Sequence, residues 1–454
     1  MQTLHLESAL LPSGWADDVL ISIDTGGHIC RVEVNVPGGK PGCLLPGIAN
    51  LHSHAHQRAM TGLTEKAGPG KDSFWTWREK MYAFLKVIEP HHLYAISSML
   101  YLEMLKAGYT RVAEFQYLHH QVGGQPYANI AEMSLQTLNA ARDTGIGITS
   151  LPVLYQYSGF DAEPAGDKQQ RFVNNPEGLL RIFEKLEQAV EGDANSNNGI
   201  AAHSLRAVSV ESLNELLDGI QRRAPFPVHI HISEQILEVE QCLASTGARP
   251  VEYLFDRFDV DKRWCLVHAT HMTGDETSKL AASNAIAGLC PTTEANLGDG
   301  FFNGSQYLDE GGVFGIGSDS HVCVSPTEEL RWLEYGQRLR ERGRNLLAGG
   351  NNRSTGRTLF ERTVYGGARA CSHNSGSIET GKRADLVVLD TEHPRINERR
   401  GDELLDSWIF SGTENHVRSV FVGGVPVIRN GRHRNETAIQ SAFQKTMREL
   451  RRLV

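Results

Sequence analysis

Three histidines occupy alternate positions in the short segment LHSHAHQ: His52, His54 and His56. Alternate side chains of a strand share a face, so imidazoles at this spacing can reach one ion together. Further imidazole and carboxylate groups stand at the ends of other apolar segments, namely His203, His231, Glu234, His268 and Asp319. Nitrogen and oxygen donors without cysteine are typical of a catalytic zinc or iron site with an open coordination position. The spacing therefore predicts a metal-dependent enzyme.

Periodicity alone does not decide which of these side chains would bind the ion. An equivalent set shares their strand parity and stays open as an alternative: His56, His229 and His321. A single HxH in an apolar strand is also compatible with packing, and it is the joint placement on several strand ends that favours a site. The HExxH and PCxxC signatures of other zinc enzymes are absent.

The elements that must position these groups are short apolar strands that alternate with helices. Eight such βα units fit between about residue 46 and residue 370, with strand segments that include GIANLHSHAH, TRVAEFQY, PVHIHISE, WCLVHAT, AIAGLCPTTEANLG and VFGIGSDSH. No GxGxxG opens a helix after the first strand, which disfavours an open dinucleotide-binding sheet. We predict a (β/α)8 TIM-type barrel, in which catalytic residues lie at the carboxyl ends of the strands.

The two ends of the chain differ from this alternating region. Both are rich in Val and Ile and are punctuated by Gly, as in LPSGWADDVLISID and VRSVFVGGVPVIRNG. We predict three segments: residues 1–45 as the first part of a small β-sandwich domain, 46–372 as the catalytic barrel, and 373–454 as the second part of the β domain with a C-terminal helix.

Composition excludes several classes of protein. The 454 residues carry a formal net charge of −9, which gives no support for nucleic acid or an anionic membrane as a partner. The seven cysteines form no CxxC pair and suggest a reducing compartment without disulfides. No secretory signal and no apolar run of about 18 residues is present. We expect a cytoplasmic protein without a membrane partner.

Five motifs resemble the amidohydrolase superfamily: PGxxxxHxH, HISE, LVHAT, GIGSDSH and GxRADLVVLD. The resemblance implies one divalent metal ion, Zn²⁺ with Fe²⁺ as the alternative, bound by His52, His54, His231 and Asp319. It implies that Glu234, His268 and Asp319 are catalytic, and that His56 packs beside the site. His203 stands where binuclear members carry a carboxylated lysine, so a single metal is expected.

Longer motifs, such as LHSHAHQRAM, DSFWTWRE and TTEANLGDG, resemble the N-formimino-L-glutamate deiminases. That resemblance implies hydrolysis of N-formimino-L-glutamate to N-formyl-L-glutamate and ammonia in histidine degradation, by a homodimer. It places five residues in the substrate pocket: Gln57, Arg78, Tyr117, His203 and Arg206. Two arginines suit a small dianionic substrate, because a guanidinium can bind a carboxylate through two hydrogen bonds.

Two other functions stay open from the sequence. A related deaminase that acts on a nucleobase-like substrate would need a stacking platform, which Trp75 and Trp77 could provide. A barrel that has lost its activity and serves as a scaffold is disfavoured, since such proteins usually lose metal ligands. In the favoured mechanism, Glu234 takes the proton of the attacking water and passes it to the departing nitrogen. Asp319 shares this relay, and His268 donates a hydrogen bond to the reacting water.

Overall fold

The computed structural model describes residues 1–68, 70, 72–220, 226–350 and 353–453. Its strands are β1 (Gln2–Leu11), β2 (Gly14–Ile23), β3 (Ile29–Glu33), β4 (Lys40–Pro46), β5 (Ile48–Ser53), β6 (Tyr109–Gln116), β7 (Gly147–Leu154), β8 (Tyr157–Gly159), β9 (Glu163–Pro164), β10 (Ser196–Asn198), β11 (Ile200–Ser204), β12 (Val228–Ile232), β13 (Trp264–His268), β14 (Ile286–Leu289), β15 (Val313–Ile316), β16 (Leu386–Leu389), β17 (Val417–Val422), β18 (Val425–Arg429) and β19 (Arg432–His433).

Helices follow most of the barrel strands. They are α1 (Phe74–Leu85), α2 (Pro90–Ala107), α3 (Glu132–Thr144), α4 (Pro176–Val190), α5 (Val210–Ile220), α6 (Ile236–Thr246), α7 (Pro250–Arg257), α8 (Gly274–Ser283), α9 (Pro291–Leu297), α10 (Gly304–Asp309), α11 (Pro326–Glu341), α12 (Thr355–Ala370), α13 (Asp402–Phe410) and α14 (Glu436–Leu453). Short 3₁₀ helices cover Ala55–Met60 and Asp167–Gln169. No helix in the described ranges is both long and apolar enough to cross a membrane.

The predicted barrel is confirmed. Parallel strands pair in the order β5, β6, β7, β11, β12, β13, β14 and β15. A parallel bridge between Ser53 and Asp319 then joins the last strand region to the first. Strands such as β5 and β6 are buried along their whole length, as expected for parallel strands covered on both faces. The eight predicted strand segments supply the eight barrel strands.

One predicted strand segment is shorter than its apolar pattern indicated. In AIAGLCPTTEANLG the strand β14 ends at Leu289, and α9 begins at Pro291. Proline is well suited to the first position of a helix, because its fixed φ fits the helix and its missing N–H would have had no intrahelical partner. The helix ends at Leu297, and the next residue, Gly298, caps it with a positive φ of 71°. This early helix places the acidic side chain of Glu294 at the mouth of the barrel.

Strands from both ends of the chain form a second sheet, in the order β19, β18, β17, β16, β4, β1, β2 and β3. The N-terminal strand β4 pairs antiparallel with the C-terminal strand β16, so that Leu45 lies opposite Val387. The C-terminal helix α14 contacts α2, where Lys106 forms an ion pair with Glu436. The predicted domain boundaries after residues 45 and 372 stay a prediction, and strand β4 itself continues to Pro46.

Candidate active site

A buried cluster of three imidazoles and one carboxylate lies at the carboxyl ends of the barrel strands. His52 and His54 come from the end of β5, His231 from β12, and Asp319 from the segment after β15. The Nε2 atoms of the three histidines lie 3.2, 3.3 and 3.0 Å from one another. Asp319 Oδ1 lies 3.5 Å from His52 Nε2 and 3.3 Å from His54 Nε2. Three strand ends therefore deliver four donor atoms to one point.

The orientation of two of these imidazoles indicates that the cluster holds a cation. His54 Nδ1 donates to the Phe115 carbonyl at 3.0 Å, and His231 Nδ1 donates to the His203 carbonyl at 2.9 Å. Their Nε2 atoms consequently carry lone pairs, which face one another at contact distance and would repel without a positive ion. Donor separations of about 3.3 Å are those of a tetrahedral site with bonds of about 2.0 Å, as zinc has. The donor set thus fits a divalent metal.

The competing histidines of the same parity lie outside the cluster. His229 Nε2 donates to the Ala370 carbonyl at 2.8 Å, and His229 precedes His231 by two residues, so that it lies farther from the carboxyl end of β12. His321 Nε2 lies 3.2 Å from the hydroxyl of Ser53 and 3.2 Å from the backbone N–H of His54. His56 Nε2 lies 3.0 Å from the Tyr117 hydroxyl. The metal-ligand assignment to the other set stays a prediction that this geometry supports.

Glu234 and His268 lie beside the cluster. His268 Nε2 is 3.7 Å from Glu234 Oε1 and 3.8 Å from Asp319 Oδ2. Burial raises the pKa of Glu234 to about 7, although the neighbouring His268 acts in the opposite direction. Burial would lower the pKa of His268, but the carboxylates around it, Glu234 first, outweigh burial and raise that pKa to about 10. Near neutral pH Glu234 can therefore take up or release a proton, whereas His268 is held protonated as a hydrogen-bond donor.

Two carboxylates that were not predicted from the sequence position Glu234 and His268. Glu294 Oε1 accepts from the backbone N–H of Cys290 at 2.9 Å and lies 3.3 Å from His268 Nδ1. Glu238 accepts from the backbone N–H groups of Ser233 at 3.2 Å and of Glu234 at 3.1 Å. Glu238 is the third residue of α6, a position where acidic side chains commonly reach back to the chain before the helix. That spacing was the signal that could have identified it.

A third missed carboxylate, Glu114, anchors the turn between the first two predicted ligands. It is fully buried on β6 and accepts from the Ser53 hydroxyl at 2.6 Å, the Ala55 backbone N–H at 2.7 Å and the Tyr101 hydroxyl at 3.1 Å. Burial raises the pKa of Glu114 to about 7, against the effect of these three donors. A carboxylate inside the apolar strand TRVAEFQY was the available signal, because an acidic side chain is rarely buried without a specific partner.

All five predicted substrate residues line one pocket that opens onto the cluster: Gln57, Arg78, Tyr117, His203 and Arg206. Arg206, only 8% exposed, follows β11, and Arg78 lies on α1. The Nε atoms of both arginines are buried without a hydrogen-bond partner, and neither guanidinium has an ion pair within the described ranges. Burial holds the pKa of His203 well below its ordinary value, so that His203 is neutral.

The two tryptophans of α1 have different surroundings. The ring of Trp75 lies 4.5 Å from Arg78 Cζ and 6.0 Å from Arg206 Cζ, so it packs against both guanidiniums. Trp77 lines the pocket and stacks on Phe74 with ring centroids 6.0 Å apart. Contact with an aromatic face stabilises cations, and Trp75 therefore supports the arginines rather than offering a free platform for a base.

Comparisons with known proteins identify the family of the chain. Residues 43–427 match the family model described as Amidohydrolase family, and residues 1–40 match the one described as Formimidoylglutamate deiminase HutF, N-terminal domain. A protein of Pseudomonas aeruginosa named Formimidoylglutamate deiminase is 47% identical, and the alignment covers 99% of this chain and 100% of the relative.

Solved structures show the same fold. An amidohydrolase from Brucella melitensis has a TM-score of 0.94 and 47% identity, with 99% of this chain and 100% of the other covered. An adenosine deaminase from Xanthomonas campestris with bound zinc has a TM-score of 0.82 at 19% identity, with 99% and 98% covered, which supports the fold alone. The chain therefore belongs to the amidohydrolase family and, within it, to the formimidoylglutamate deiminases.

Proposed function

We propose that the cluster at the barrel mouth hydrolyses N-formimino-L-glutamate to N-formyl-L-glutamate and ammonia, with the residue roles given below. The chain is a hydrolase of the deiminase family, and this hydrolytic deimination is a step of histidine degradation. The observation that carries the substrate assignment is a pair of guanidiniums, buried at Arg206 and half-buried at Arg78, that have no carboxylate partner among the described residues and line the same pocket as the metal-type cluster. A pocket with two unpaired cations is suited to a ligand with two carboxylates.

The proposed metal is a single zinc ion held by His52, His54, His231 and Asp319. Support comes from the separations of the donor atoms and from the convergence of imidazole lone pairs described above. When bound, such an ion supplies Lewis acidity and makes water a stronger nucleophile near neutral pH. Iron(II) is the alternative, because it accepts the same donors.

The protein groups around the reacting centre carry the protons. Glu234 takes a proton from the attacking water while the new C–O bond forms at the formimino carbon. The same carboxyl gives this proton to the imine nitrogen, which becomes an amine. It then takes the second proton of the former water as the carbonyl forms and passes it to the same nitrogen, whose bond to carbon breaks, so that ammonia departs with both water protons. His268 donates a hydrogen bond to the attacking oxygen, and Glu294 orients its ring through Nδ1. Asp319 Oδ2 lies close enough to His268 to share this relay.

Recognition of the substrate rests on the polar side chains that line the pocket beside the cluster. Arg78 and Arg206 bind the two carboxylates, and Trp75 packs against both guanidiniums. Gln57, Tyr117 and His203 add neutral hydrogen bonds. The two bound carboxylates give the guanidiniums the partners of opposite charge that they lack in the free protein. Binding is therefore selective for dianions over neutral compounds.

An ammonia-release assay with metal analysis of the same sample tests this proposal. We expect ammonia and N-formyl-L-glutamate from N-formimino-L-glutamate, with about one zinc per chain. Adenosine, guanine and S-adenosylhomocysteine serve as the competing substrates, because relatives at low identity include deaminases of adenosine derivatives. Ammonia from one of these compounds but not from formiminoglutamate would overturn the assignment, as would two bridged ions in place of one.

We also propose that the chain works as a cytoplasmic homodimer, with a small β domain formed by residues 1–45 and 373–454 around the barrel of residues 46–372. The family resemblance supports the homodimer and the cytoplasmic location. The pairing of β4 with β16 supports a β domain built from both ends of the chain. Among the described residues, no helix is suited to crossing a membrane. Light scattering of the purified protein tests the oligomeric state, and a single-chain mass would contradict the dimer.

A further inference from the structure

We propose that His56, which lies outside the metal-type cluster, sets the hydrogen-bond polarity of Tyr117 and thereby makes this tyrosine a donor to a carboxylate oxygen of the ligand. His56 is then a positioning residue that contributes to specificity for anions. The inference rests on the proposed function, since it concerns recognition of the same dianionic substrate.

The contacts of the Tyr117 hydroxyl define the geometry. His56 Nε2 and Gln57 Nε2 each lie 3.0 Å from this oxygen, and Met81 Sδ lies 3.3 Å from it. Tyr117 and His56 are both buried, and their rings meet edge to face with centroids 4.9 Å apart. The ring of Tyr117 also lies 5.0 Å from that of His54. The hydroxyl is therefore held by three side chains, two of which, Gln57 and Met81, line the pocket together with Tyr117.

The hydroxyl of a tyrosine has one hydrogen to donate and two lone pairs that accept. The amide of Gln57 donates to one lone pair. The second contact, to His56 Nε2, depends on which nitrogen of that imidazole carries the hydrogen. If Nε2 carries it, His56 fills the second lone pair and the tyrosine hydrogen is left free. If Nδ1 carries it, Nε2 accepts the tyrosine hydrogen and none remains for a ligand.

The surroundings of His56 Nδ1 favour the first arrangement. This atom is buried and has no hydrogen-bond partner in the part of the chain that the structure describes. A hydrogen on Nδ1 would be a buried donor without an acceptor, which is rare in proteins and costly. A hydrogen on Nε2 instead has the Tyr117 oxygen as its acceptor at 3.0 Å. His56 thus donates to Tyr117 through Nε2.

With both lone pairs filled, Tyr117 can only donate its remaining hydrogen. In the free protein the nearest acceptor is the thioether of Met81, which is a weak one. An anionic oxygen is a much stronger acceptor, because charge-assisted hydrogen bonds are about twice as strong as neutral ones. Tyr117 lines the same pocket as Arg78 and Arg206, so a carboxylate bound there has a third donor available.

The test measures the dissociation constant of N-formyl-L-glutamate by calorimetry on the metal-loaded protein. His56→Phe keeps a ring but removes the donor, and we expect binding to weaken about tenfold or more. His56→Gln offers an amide donor and should regain part of the loss. In a Tyr117→Phe background, His56→Phe should change the dissociation constant by less than about twofold, because the hydroxyl on which it acts is gone. Metal content should equal that of wild type.

Two results would overturn the inference: wild-type affinity in His56→Phe, or effects of His56→Phe and Tyr117→Phe that simply add. Failure of wild type to bind N-formyl-L-glutamate would count against the proposed function instead, which keeps the two failures distinct. Neutron diffraction on the unsubstituted protein decides the case if His56→Phe does not fold. Deuterium on His56 Nε2 supports the inference, and deuterium on Nδ1 refutes it.

Discussion

Replacing Arg206 with alanine separates a dianion-binding enzyme from other hydrolases on the same barrel. In the free protein Arg206 is buried, and its guanidinium has no ion pair among the described residues. Its removal should therefore change the melting temperature only slightly, because no ion pair is lost and a buried charge is removed. In the complex, the same substitution leaves a substrate carboxylate buried without its partner. Truncating one side of such a pair costs about 2–5 kcal/mol.

That cost corresponds to a loss of roughly 30- to several-thousand-fold in kcat/KM for N-formimino-L-glutamate, at about 1.4 kcal/mol per decade. Arg206 also lowers the pKa values of Glu234 and Glu238, so its loss shifts the ionisation of the catalytic carboxyl. The assay is therefore run over a pH series, and kcat/KM is compared on the high-pH plateau of each variant. A neutral formimino compound should be a poor substrate of wild type and should be almost insensitive to the substitution.

Two further variants complete the design. Arg206→Lys should restore activity only in part, because an ammonium group lacks the planar pair of donors. Arg257→Ala is the matched control, since it removes the same charge from an exposed arginine that packs on Tyr253. Equal losses with charged and neutral substrates in Arg206→Ala would refute the carboxylate contact. A marked fall in melting temperature would instead indicate that Arg206 is structural.

Three other predictions concern the carboxylates of the site. Glu234→Gln should lower kcat by about 100-fold or more at unchanged metal content, since the amide cannot carry the proton, and a near-normal kcat would remove Glu234 from the mechanism. In the wild type, kcat/KM should fall about tenfold per pH unit below pH 7 and level off above pH 7, because a protonated Glu234 carboxyl cannot act as a base. A flat pH profile would contradict a pKa of about 7 for Glu234. Glu114→Gln should weaken metal affinity about 10- to 100-fold in a chelator competition, because Glu114 holds the turn between two predicted ligands. The surface substitution Glu361→Gln is the control. Unchanged affinity in Glu114→Gln would show that Glu114 does not position the ligands.

The barrel and the composition of the cluster could be predicted because their signals are local in sequence. Each apolar strand and each strand-end histidine is visible within about ten residues. The choice between His231 and His229 was not visible, because residues two apart on a strand share a face and both of these histidines are buried. Only closure of the barrel shows that His229 points to Ala370 and His231 to the cluster.

The supporting carboxylates were missed for a related reason. Glu294 acts on His268, which is 26 residues earlier in the chain, and Glu114 acts on a turn 59 residues earlier. Neither separation along the chain follows the repeat of a helix or a strand. Both depend on how neighbouring barrel strands are staggered. The side chains that bind a ligand converge at strand ends and follow a rule of the fold, whereas those that hold them in place follow only the details of packing.

The distribution of charge in the pocket favours the amino-acid substrate over a purine. Three carboxylates, those of Glu234, Glu294 and Asp319, surround His268 at the metal-type end. Two guanidiniums without carboxylate partners line the same pocket and pack on Trp75. Formiminoglutamate has the complementary order, with a basic amidine-like group at one end and carboxylates at the other. An adenine ring has no anionic group, and in its complex the buried Arg206 would stay without a partner, which carries a free-energy cost. On the proposed assignment, the arginines that attract the dianion therefore also disfavour the nucleobase.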